Sequence, residues 1–317
     1  MPSPNRSSSA ILAPIPAEGD TVAPASASPP AWWPARWRVQ HDAAAEGVRH
    51  MAVDLALLDR AARTGVATLR TYAWTRETVS FGRHETVAAA WDVAAMQAAG
   101  LDVVRRPTGG RALLHGADLT YAVALPVPHT VGWRAAYAAV NVRLLAALRA
   151  LGVAATLVDD GAAVPPDGLA CFGAPAPGEI AVAGRKLVGS AVWRTPTAYL
   201  QHGSILLRDT QARLNAFRYG DALATPAGTS LSDLVPVPAQ SGQGDLAARC
   251  RRDVPRPDES LDLWRQRGRS ALEDAFGAAP DARPSAMPDR RDEDDRVTLD
   301  VARHHAVLDA PAWLWRR

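Results

Sequence analysis

The chain has 317 residues, 48% of them hydrophobic and 21% charged, which is the composition of a globular protein with one large core or two modest domains. Its formal net charge of +2 argues against nucleic acid or an anionic membrane as the main partner, and no apolar run approaches the ~18 residues that a membrane helix needs. The two cysteines, Cys171 and Cys250, exclude a disulfide framework and a cysteine-rich zinc site.

The first 31 residues differ in composition from the rest of the chain. They are dominated by Ala, Pro and Ser without periodicity, which predicts a disordered tail. A secretory signal needs a basic start and a continuous apolar stretch, whereas Ile11 and Leu12 stand nearly alone. The sequence therefore predicts a cytoplasmic protein, in which both cysteines stay reduced thiols.

Hydrophobic periodicity after the tail predicts helices and strands in bunches rather than in strict alternation. In chain order, the predicted helices cover residues 46–63, 86–99, 133–151, 229–234 and 259–276. The predicted strands cover residues 67–74, 78–82, 101–105, 111–115, 119–125, 153–158, 179–184, 186–193 and 198–207. This order predicts an α+β fold with a mixed or antiparallel sheet flanked by helices, not a parallel doubly wound sheet.

Three segments between or beyond these elements are predicted to be irregular. Residues 159–178 are rich in Pro and Gly and are predicted to form a loop that contains Cys171. Residues 278–296 are rich in Pro, Arg and Asp and are predicted to be a solvated linker. The tail 297–317 ends in an aromatic and basic cluster.

The first chemically distinctive segment is a glycine turn between two predicted strands. Paired glycines let the backbone approach a ligand and present its N–H groups, and flanking arginines add positive charge for a phosphate or carboxylate. The alternative is a plain hairpin with exposed arginines, because lone Gly-rich turns are weak signals. The candidate ligand-binding residues here are Arg106, Thr108, Gly109, Gly110, Arg111 and His115.

The second segment is a lysine at the start of an apolar strand. Lys186 precedes the small residues Gly189, Ser190 and Ala191, which leave room for an extended ligand. A partly buried lysine there is placed to steer a carbonyl or an anion. The alternative is an exposed lysine in a turn.

The third segment is the loop that holds Cys171, in the sequence Ala-Cys-Phe-Gly-Ala-Pro. A loop cysteine has access that a core cysteine lacks, and a nearby lysine favours its nucleophilic thiolate. The alternative is a buried, inert thiol. Cys250 lies between arginines and is interpreted as incidental.

The sequence contains two candidate histidines and lacks the common catalytic motifs. His115 and His202 are candidates either for catalysis or for hydrogen-bonding roles at strand ends. No His/Cys/Asp/Glu cluster has metal-ligand spacing, so no metal site is predicted. The sequence has no P-loop, dinucleotide fingerprint or G-x-S-x-G elbow.

Taken in order, these segments resemble the biotin/lipoate protein ligase superfamily over residues 36–235. The resemblance rests on HMAVDLALL, LRTYAWTRETVSFGRHE, RRPTGGRALLHGADLTYAV, GRKLVGSA and LQHGSILL. It implies a catalytic domain like those of class II aminoacyl-tRNA and biotin synthetases. Residues 236–317 carry no match and are predicted to form a C-terminal helical extension with a polar linker. The resemblance places the ligand in the glycine turn and beside Gly189, Ser190, Ala191 and His202.

Details favour one branch of the superfamily. Arg111 stands where ATP-dependent ligases tend to have a third glycine, and Ala-Cys-Phe around Cys171 is similar to the nucleophile segment of the cysteine-type octanoyltransferases. The chain departs from that pattern at Val192 and at Pro177-Gly178, beside the expected acyl pocket. Acyl-chain preference is therefore left open.

This resemblance implies an acyltransferase of protein lipoylation. Octanoyl would pass from octanoyl-acyl carrier protein to Cys171 and then to a lysine of an apo lipoyl domain, such as the glycine cleavage H protein. Lys186 would assist, and no cofactor would be needed because a thioester is already activated. Nucleic acid and membrane partners are not expected.

Rival functions keep the same residues but change their use. One is a ligase that activates free lipoate with ATP and Mg²⁺, for which Cys171 would be dispensable. A second is an amidotransferase that moves octanoyl between lipoyl domains, and a third is an acyl-binding module without chemistry.

Overall fold

The computed structural model describes residues 29–158, 176–220, 228–234, 257–277 and 290–315. Cys171, Cys250, residues 1–28 of the predicted disordered tail and most of the predicted 159–178 loop lie outside these ranges. The predictions made for them therefore stay predictions.

The described part of the chain contains ten strands and eight α-helices. The strands are β1 (Trp37–His41), β2 (Ala67–Tyr72), β3 (Thr78–Phe81), β4 (Asp102–Arg105), β5 (Leu113–His115), β6 (Asp118–Pro126), β7 (Thr156–Leu157), β8 (Ile180–Val182), β9 (Arg185–Arg194) and β10 (Ala198–Leu206). The helices are α1 (Gly47–Thr64), α2 (Val87–Ala90), α3 (Val93–Ala98), α4 (Trp133–Ala150), α5 (Leu231–Leu234), α6 (Pro257–Phe276), α7 (Arg290–Leu308) and α8 (Pro311–Leu314). A 3₁₀ helix covers Gln211–Phe217.

Seven strands form the central sheet in the order β1-β2-β6-β10-β9-β8-β7. All its pairings are antiparallel except that of β1 with β2. The strand β6 is buried along almost its whole length, because helices cover both faces of the sheet. The predicted mixed sheet flanked by helices is confirmed.

The helices form one layer on each face of this sheet. One core joins the sheet to α4 and α6, through side chains such as Val140, Leu144 and Trp264. Cores on the other face join it to α1, with partly buried Val301 of α7 packed against them. A second sheet, in the order β4-β3-β5, packs with α2, α3 and the 3₁₀ helix over a separate small core.

Three helices or strands differ locally from the sequence prediction. The predicted 86–99 helix is broken, because Trp91 forms a strand-like bridge to Arg218 and Asp92 caps α3 by accepting the N–H of Ala95. The predicted strand over residues 153–158 shortens to the two residues of β7. The strand β1 was not predicted, because it has only five residues and its alternation of apolar and polar side chains is correspondingly short.

The predicted solvated linker over residues 278–296 is wrong for its last part, where α7 begins at Arg290. The acidic start of α7 finds partners on other elements, which sequence composition does not reveal. Glu293 and Asp300 both pair with Arg63 of α1, at 2.8 Å each. No helix in the described ranges is long and apolar enough to span a bilayer.

Candidate active site

The glycine turn between β4 and β5 is folded around the guanidinium of Arg106. This buried group donates to the carbonyl and the hydroxyl of Ser80 at 2.6 Å each. It also donates to the carbonyl oxygens of Gly109, at 3.2 Å, and Arg111, at 2.9 Å. Arg106 therefore fixes the shape of the turn from inside, while it also borders the cavity described below.

Close backbone packing explains the glycines on either side of this turn. A Cβ atom on Gly82 would lie 1.8 Å from the carbonyl oxygen of Gly110, so no side chain fits there. Gly110 itself has φ +91°, in the region that favours glycine. A Cβ atom on Gly109 would meet nothing within 4 Å, so space is left beside that residue.

His202 of β10 links the turn to the opposite side of the fold. Its Nδ1 lies 2.8 Å from Oδ2 of Asp54, and its Nε2 lies 2.7 Å from the hydroxyl of Thr108 in the turn. Asp54 also accepts a bond of 2.6 Å from Arg70. Burial opposes the charge of Asp54, but Arg70 and His202 outweigh it and lower the pKa of the carboxyl below its usual value.

His115 stands at the centre of a second chain of the same kind. Its Nε2 lies 2.7 Å from the hydroxyl of Ser80, and its Nδ1 lies 2.9 Å from Asp118. Burial lowers the pKa of His115, so its neutral form donates to the carboxylate through Nδ1 and accepts from Ser80 through Nε2. Asp118 accepts further bonds from the hydroxyls of Thr120 and Ser204.

These contacts determine the charge of Asp118. Burial alone would raise the pKa of its carboxyl, but His115, Ser204 and the N–H of Gly116 hold the pKa at about 2. The ring of Trp74 stacks on His115 with 4.0 Å between centroids. Both histidines are therefore locked, each between a hydroxyl and a carboxylate.

A narrow cavity of about 30 Å³ lies between these two chains, and most of its surface is apolar. Many of the residues predicted from the sequence meet on its walls: Arg106, Gly110, His115, Gly189, Ser190, Ala191 and His202. Thr108, Gly109 and Arg111 do not line it, although they belong to the turn beside it. The strands β9 and β10 approach closely here, because a Cβ atom on Gly203 would lie 2.2 Å from the carbonyl oxygen of Gly189.

Lys186 is buried on the same strand as Gly189, Ser190 and Ala191. Its Nζ lies 2.7 Å from Oε1 of Glu179, just before β8. The other oxygen of Glu179 accepts the backbone N–H of Ala176 at 2.8 Å. Since Ala176 is five residues from Cys171, Glu179 connects the lysine to the end of the cysteine segment.

Sequence reasoning missed the carboxylates that organise this site. Asp54, Asp118 and Glu179 each hold a predicted site residue, yet none belongs to the glycine turn or to the small-residue strand. One signal was present for Asp54, an acidic residue at the helical spacing of the mostly apolar buried face of α1, one turn after His50. A buried charge of this kind needs partners, and Arg70 and His202 supply them.

Comparison with known proteins places the whole arrangement in a family. The family model of the lipoyl protein ligase A/B catalytic domain matches residues 46–230. This chain belongs to that family. The match includes the glycine turn, Cys171, Lys186 and His202, and it lies within the 36–235 region where the sequence resembled the superfamily.

Curated relatives in the family carry the name octanoyltransferase LipM. The chain is 36% identical over 178 residues to the protein of Carboxydothermus hydrogenoformans, covering 54% of this chain and 65% of that one. It is 39% identical over 178 residues to the protein of Moorella thermoacetica, with the same two coverages. For Kyrpidia tusciae the identity is 37% over 195 residues, covering 58% and 70%. The matched region thus spans about two thirds of the length of these relatives.

Solved structures agree on the fold. A bipartite lipoate protein ligase from Thermoplasma acidophilum has a TM-score of 0.61 and 18% identity, over 88% of this chain and 96% of that chain. LipL1 of P. falciparum, solved with lipoate, has a TM-score of 0.58 and 14% identity, over 89% and 74%. At these identities the likeness supports the α+β fold alone.

Proposed function

We propose that this chain is an octanoyltransferase of protein lipoylation. In this proposal, octanoyl-acyl carrier protein is the donor and a lysine of an apo lipoyl domain is the acceptor. The main structural support is Lys186, a buried lysine held by Glu179, whose other oxygen accepts the N–H of Ala176, five residues after Cys171 in the chain. The names of the curated relatives support the same acyl group and reaction class.

The first half of the reaction exchanges one thioester for another. The Cys171 thiolate attacks the octanoyl carbonyl, a C–S bond forms, and the donor thiolate leaves and takes up a proton. Lys186 carries positive charge that stabilises the thiolate or the developing oxyanion. The exchange is close to balanced in energy, because the bond that breaks and the bond that forms are of the same kind.

In the second half, the amine of the acceptor lysine attacks the acyl-enzyme. A C–N bond forms, the amine loses a proton, and Cys171 leaves as a thiolate. The product amide is more stable than the thioester, so this step proceeds without ATP. We propose that no cofactor takes part.

The octanoyl chain is expected to occupy the apolar cavity between the two histidines. Burial of each CH₂ contributes about 0.8 kcal/mol. A cavity of about 30 Å³ holds only one or two water molecules, so the lining side chains must separate to admit eight carbons. The free space at Gly109 lets the glycine turn present backbone N–H groups toward the acyl head.

The experiment is intact-protein mass spectrometry after mixing with octanoyl-acyl carrier protein in the absence of ATP. Wild type and a Cys250→Ala control are expected to gain one octanoyl group, whereas Cys171→Ala gains none. Transfer to an apo lipoyl domain should then remove the added mass from the enzyme. If Cys171→Ala still modifies the acceptor when ATP and free lipoate are supplied, the protein is a ligase and the thioester mechanism is wrong.

A further inference from the structure

We infer that the acceptor domain docks on a basic and aromatic surface at the start of α4. We call it the α4 patch and define it by Trp133, Arg134, Ala138 and the preceding loop, residues 128–131. This inference rests on the proposed function, since it concerns the protein partner of the second half-reaction. It names a surface outside both the cavity and the Lys186 environment.

The first observation is an exposed aromatic side chain joined to an arginine. Trp133 is 44% exposed, and the guanidinium carbon of Arg134 lies 4.6 Å from the centre of its ring. The ring of Tyr137 follows at 6.4 Å between centroids. Trp, Tyr and Arg are the residues most enriched among those that dominate binding energy at protein interfaces.

The second observation is the sign of the charge. Residues 119–158 contain no aspartate or glutamate, and the patch itself carries the charge of Arg134. The other two arginines of this range are engaged elsewhere, Arg143 on the ring of Trp33 and Arg149 on the carbonyl of Ala155. The first turn of α4 has no acidic residue, and Gly132 provides no side-chain cap, so the positive end of the helix dipole adds to the same field. A partner that fits this surface is a protein domain with an acidic face around its acceptor lysine.

The third observation is that α4 connects the patch to the residue before Glu179. Tyr137 lies one turn after Trp133, and its ring lies 3.5 Å from where a Cβ atom of Gly178 would be. Asn141, one turn further along α4, donates to the carbonyl of Gly178 at 2.7 Å. The next residue is Glu179, which holds Lys186. A domain seated on the α4 patch therefore sits near Gly178, the neighbour in the chain of the residue that holds Lys186.

The fourth observation is that the loop before α4 is held in place. Nη2 of Arg194 donates to the carbonyl oxygens of Pro128, at 3.1 Å, His129, at 3.2 Å, and Val131, at 2.8 Å. A surface fixed in this way loses little conformational entropy on binding. Arg194 belongs to β9, the strand of Lys186, so the patch and the lysine share one support.

The test separates docking from chemistry by loading the enzyme with octanoyl-coenzyme A, a thioester donor without a protein. Excess donor is removed, and single-turnover transfer to an apo lipoyl domain is followed at increasing acceptor concentrations. The variants are Trp133→Ala and Arg134→Glu, and the control is Arg296→Glu on the exposed face of α7. All four proteins are expected to load at the same rate.

At low acceptor concentration, Arg134→Glu should transfer at least tenfold more slowly than wild type, and Trp133→Ala several-fold more slowly. The rate at saturating acceptor should be unchanged, because the chemistry is untouched. Added salt should slow wild type more than Arg134→Glu, since the attraction between exposed charges is screened. Arg296→Glu should behave as wild type.

Two results would overturn the docking inference while leaving the proposed function intact. One is equal transfer by wild type and both patch variants at low acceptor concentration. The other is slower loading from octanoyl-coenzyme A in the variants, which would show that the patch supports the cavity instead. A wild type that accepts octanoyl from neither coenzyme A nor acyl carrier protein refutes the proposed function itself, and the docking inference with it.

Discussion

Glu179 and the buried Lys186 form an ion pair in which the partly buried carboxylate accepts from two donors. One oxygen lies 2.7 Å from the lysine Nζ, and the other accepts the N–H of Ala176 at 2.8 Å. The lysine side chain is only 4% exposed, so this partner controls where its charge points. The pair ties Lys186 to Ala176, which lies five residues after Cys171 in the chain.

Replacement of Glu179 by Gln should slow acyl-enzyme formation about tenfold or more. The single carbonyl oxygen of Gln cannot serve both donors with the same geometry, and the lysine loses a charged partner. The measurement is the rate of octanoyl loading as a function of pH, followed by intact mass. The control is Glu273→Gln, which removes a carboxylate paired at 2.6 Å with His41, and neither residue lines the cavity. Equal loading rates in Glu179→Gln and wild type would contradict this prediction.

An added methyl group should lower the stability of the protein at Gly82 but leave it almost unchanged at Gly109. Gly82→Ala places a Cβ atom 1.8 Å from the carbonyl of Gly110, so the turn must move, at a cost of about 3 kcal/mol or more. Gly109→Ala meets nothing within 4 Å and should change stability by less than about 0.5 kcal/mol. Urea unfolding of both variants checks this. Comparable losses of stability would show that the turn packs differently.

The sequence predicted the site better where function lies in one segment than where it lies between segments. The glycine turn and the small residues after Lys186 are local patterns, and Arg106 and Gly110 of the turn line the same cavity as Gly189, Ser190 and Ala191. Asp118 was missed although it lies only three residues after its partner His115. The partner of His202 was not predicted, because Asp54 lies 148 residues before it in the chain. Pairs of residues so distant in the sequence arise from tertiary packing and produce no periodic pattern in the local sequence.

The same distinction applies to the fold. Long periodic segments such as α1 and α4 were predicted to within one residue at each end. The helix α7 was missed at its start, because its acidic residues suggest a solvated linker until Arg63 is brought next to them. Composition reveals the charge of a segment but not the surface that it will meet.

Arg105→Lys should destabilise the protein by about 2–4 kcal/mol. The buried guanidinium donates to the carbonyls of Gly82, Arg83 and Glu85 through Nη1, and to the carbonyl of Leu314 through Nε and Nη2. A lysine has three donors on one atom and cannot reach both groups of acceptors. Thermal unfolding measures the loss.

A second prediction concerns the hydrogen bond that Trp313 of α8 donates to the backbone of Arg105. Trp313→Phe keeps an aromatic ring but removes the indole N–H that donates to the Arg105 carbonyl at 2.9 Å. We expect α8 to become more accessible to hydrogen exchange, at a cost of about 1 kcal/mol. The matched control is Trp315→Phe, an exposed residue in the same short segment. Equal exchange in Trp313→Phe and wild type would show that the indole bond does not hold α8.

Stability should fall as the pH drops from about 6.5 to about 4, because two buried histidines resist protonation in the folded state. Burial, with the nearby charge of Arg70, lowers the pKa of His50 to about 4, and burial also lowers that of His115. In the unfolded chain both groups bind protons near pH 6.5, so acid favours unfolding over this window. Above about pH 6.5 the contribution is complete.

The depressed pKa of His50 corresponds to a loss of about 3 kcal/mol across that window, with a steepest slope of about 1.4 kcal/mol per pH unit. The free energy of unfolding in urea, measured at intervals from pH 7.5 to pH 4, gives the slope directly. In His50→Gln the slope should decrease even though the variant is less stable throughout, since the bonds to Arg70 and Ala73 are weakened. A variant with the wild-type slope would mean that His50 is protonated as readily in the folded protein as in the unfolded chain.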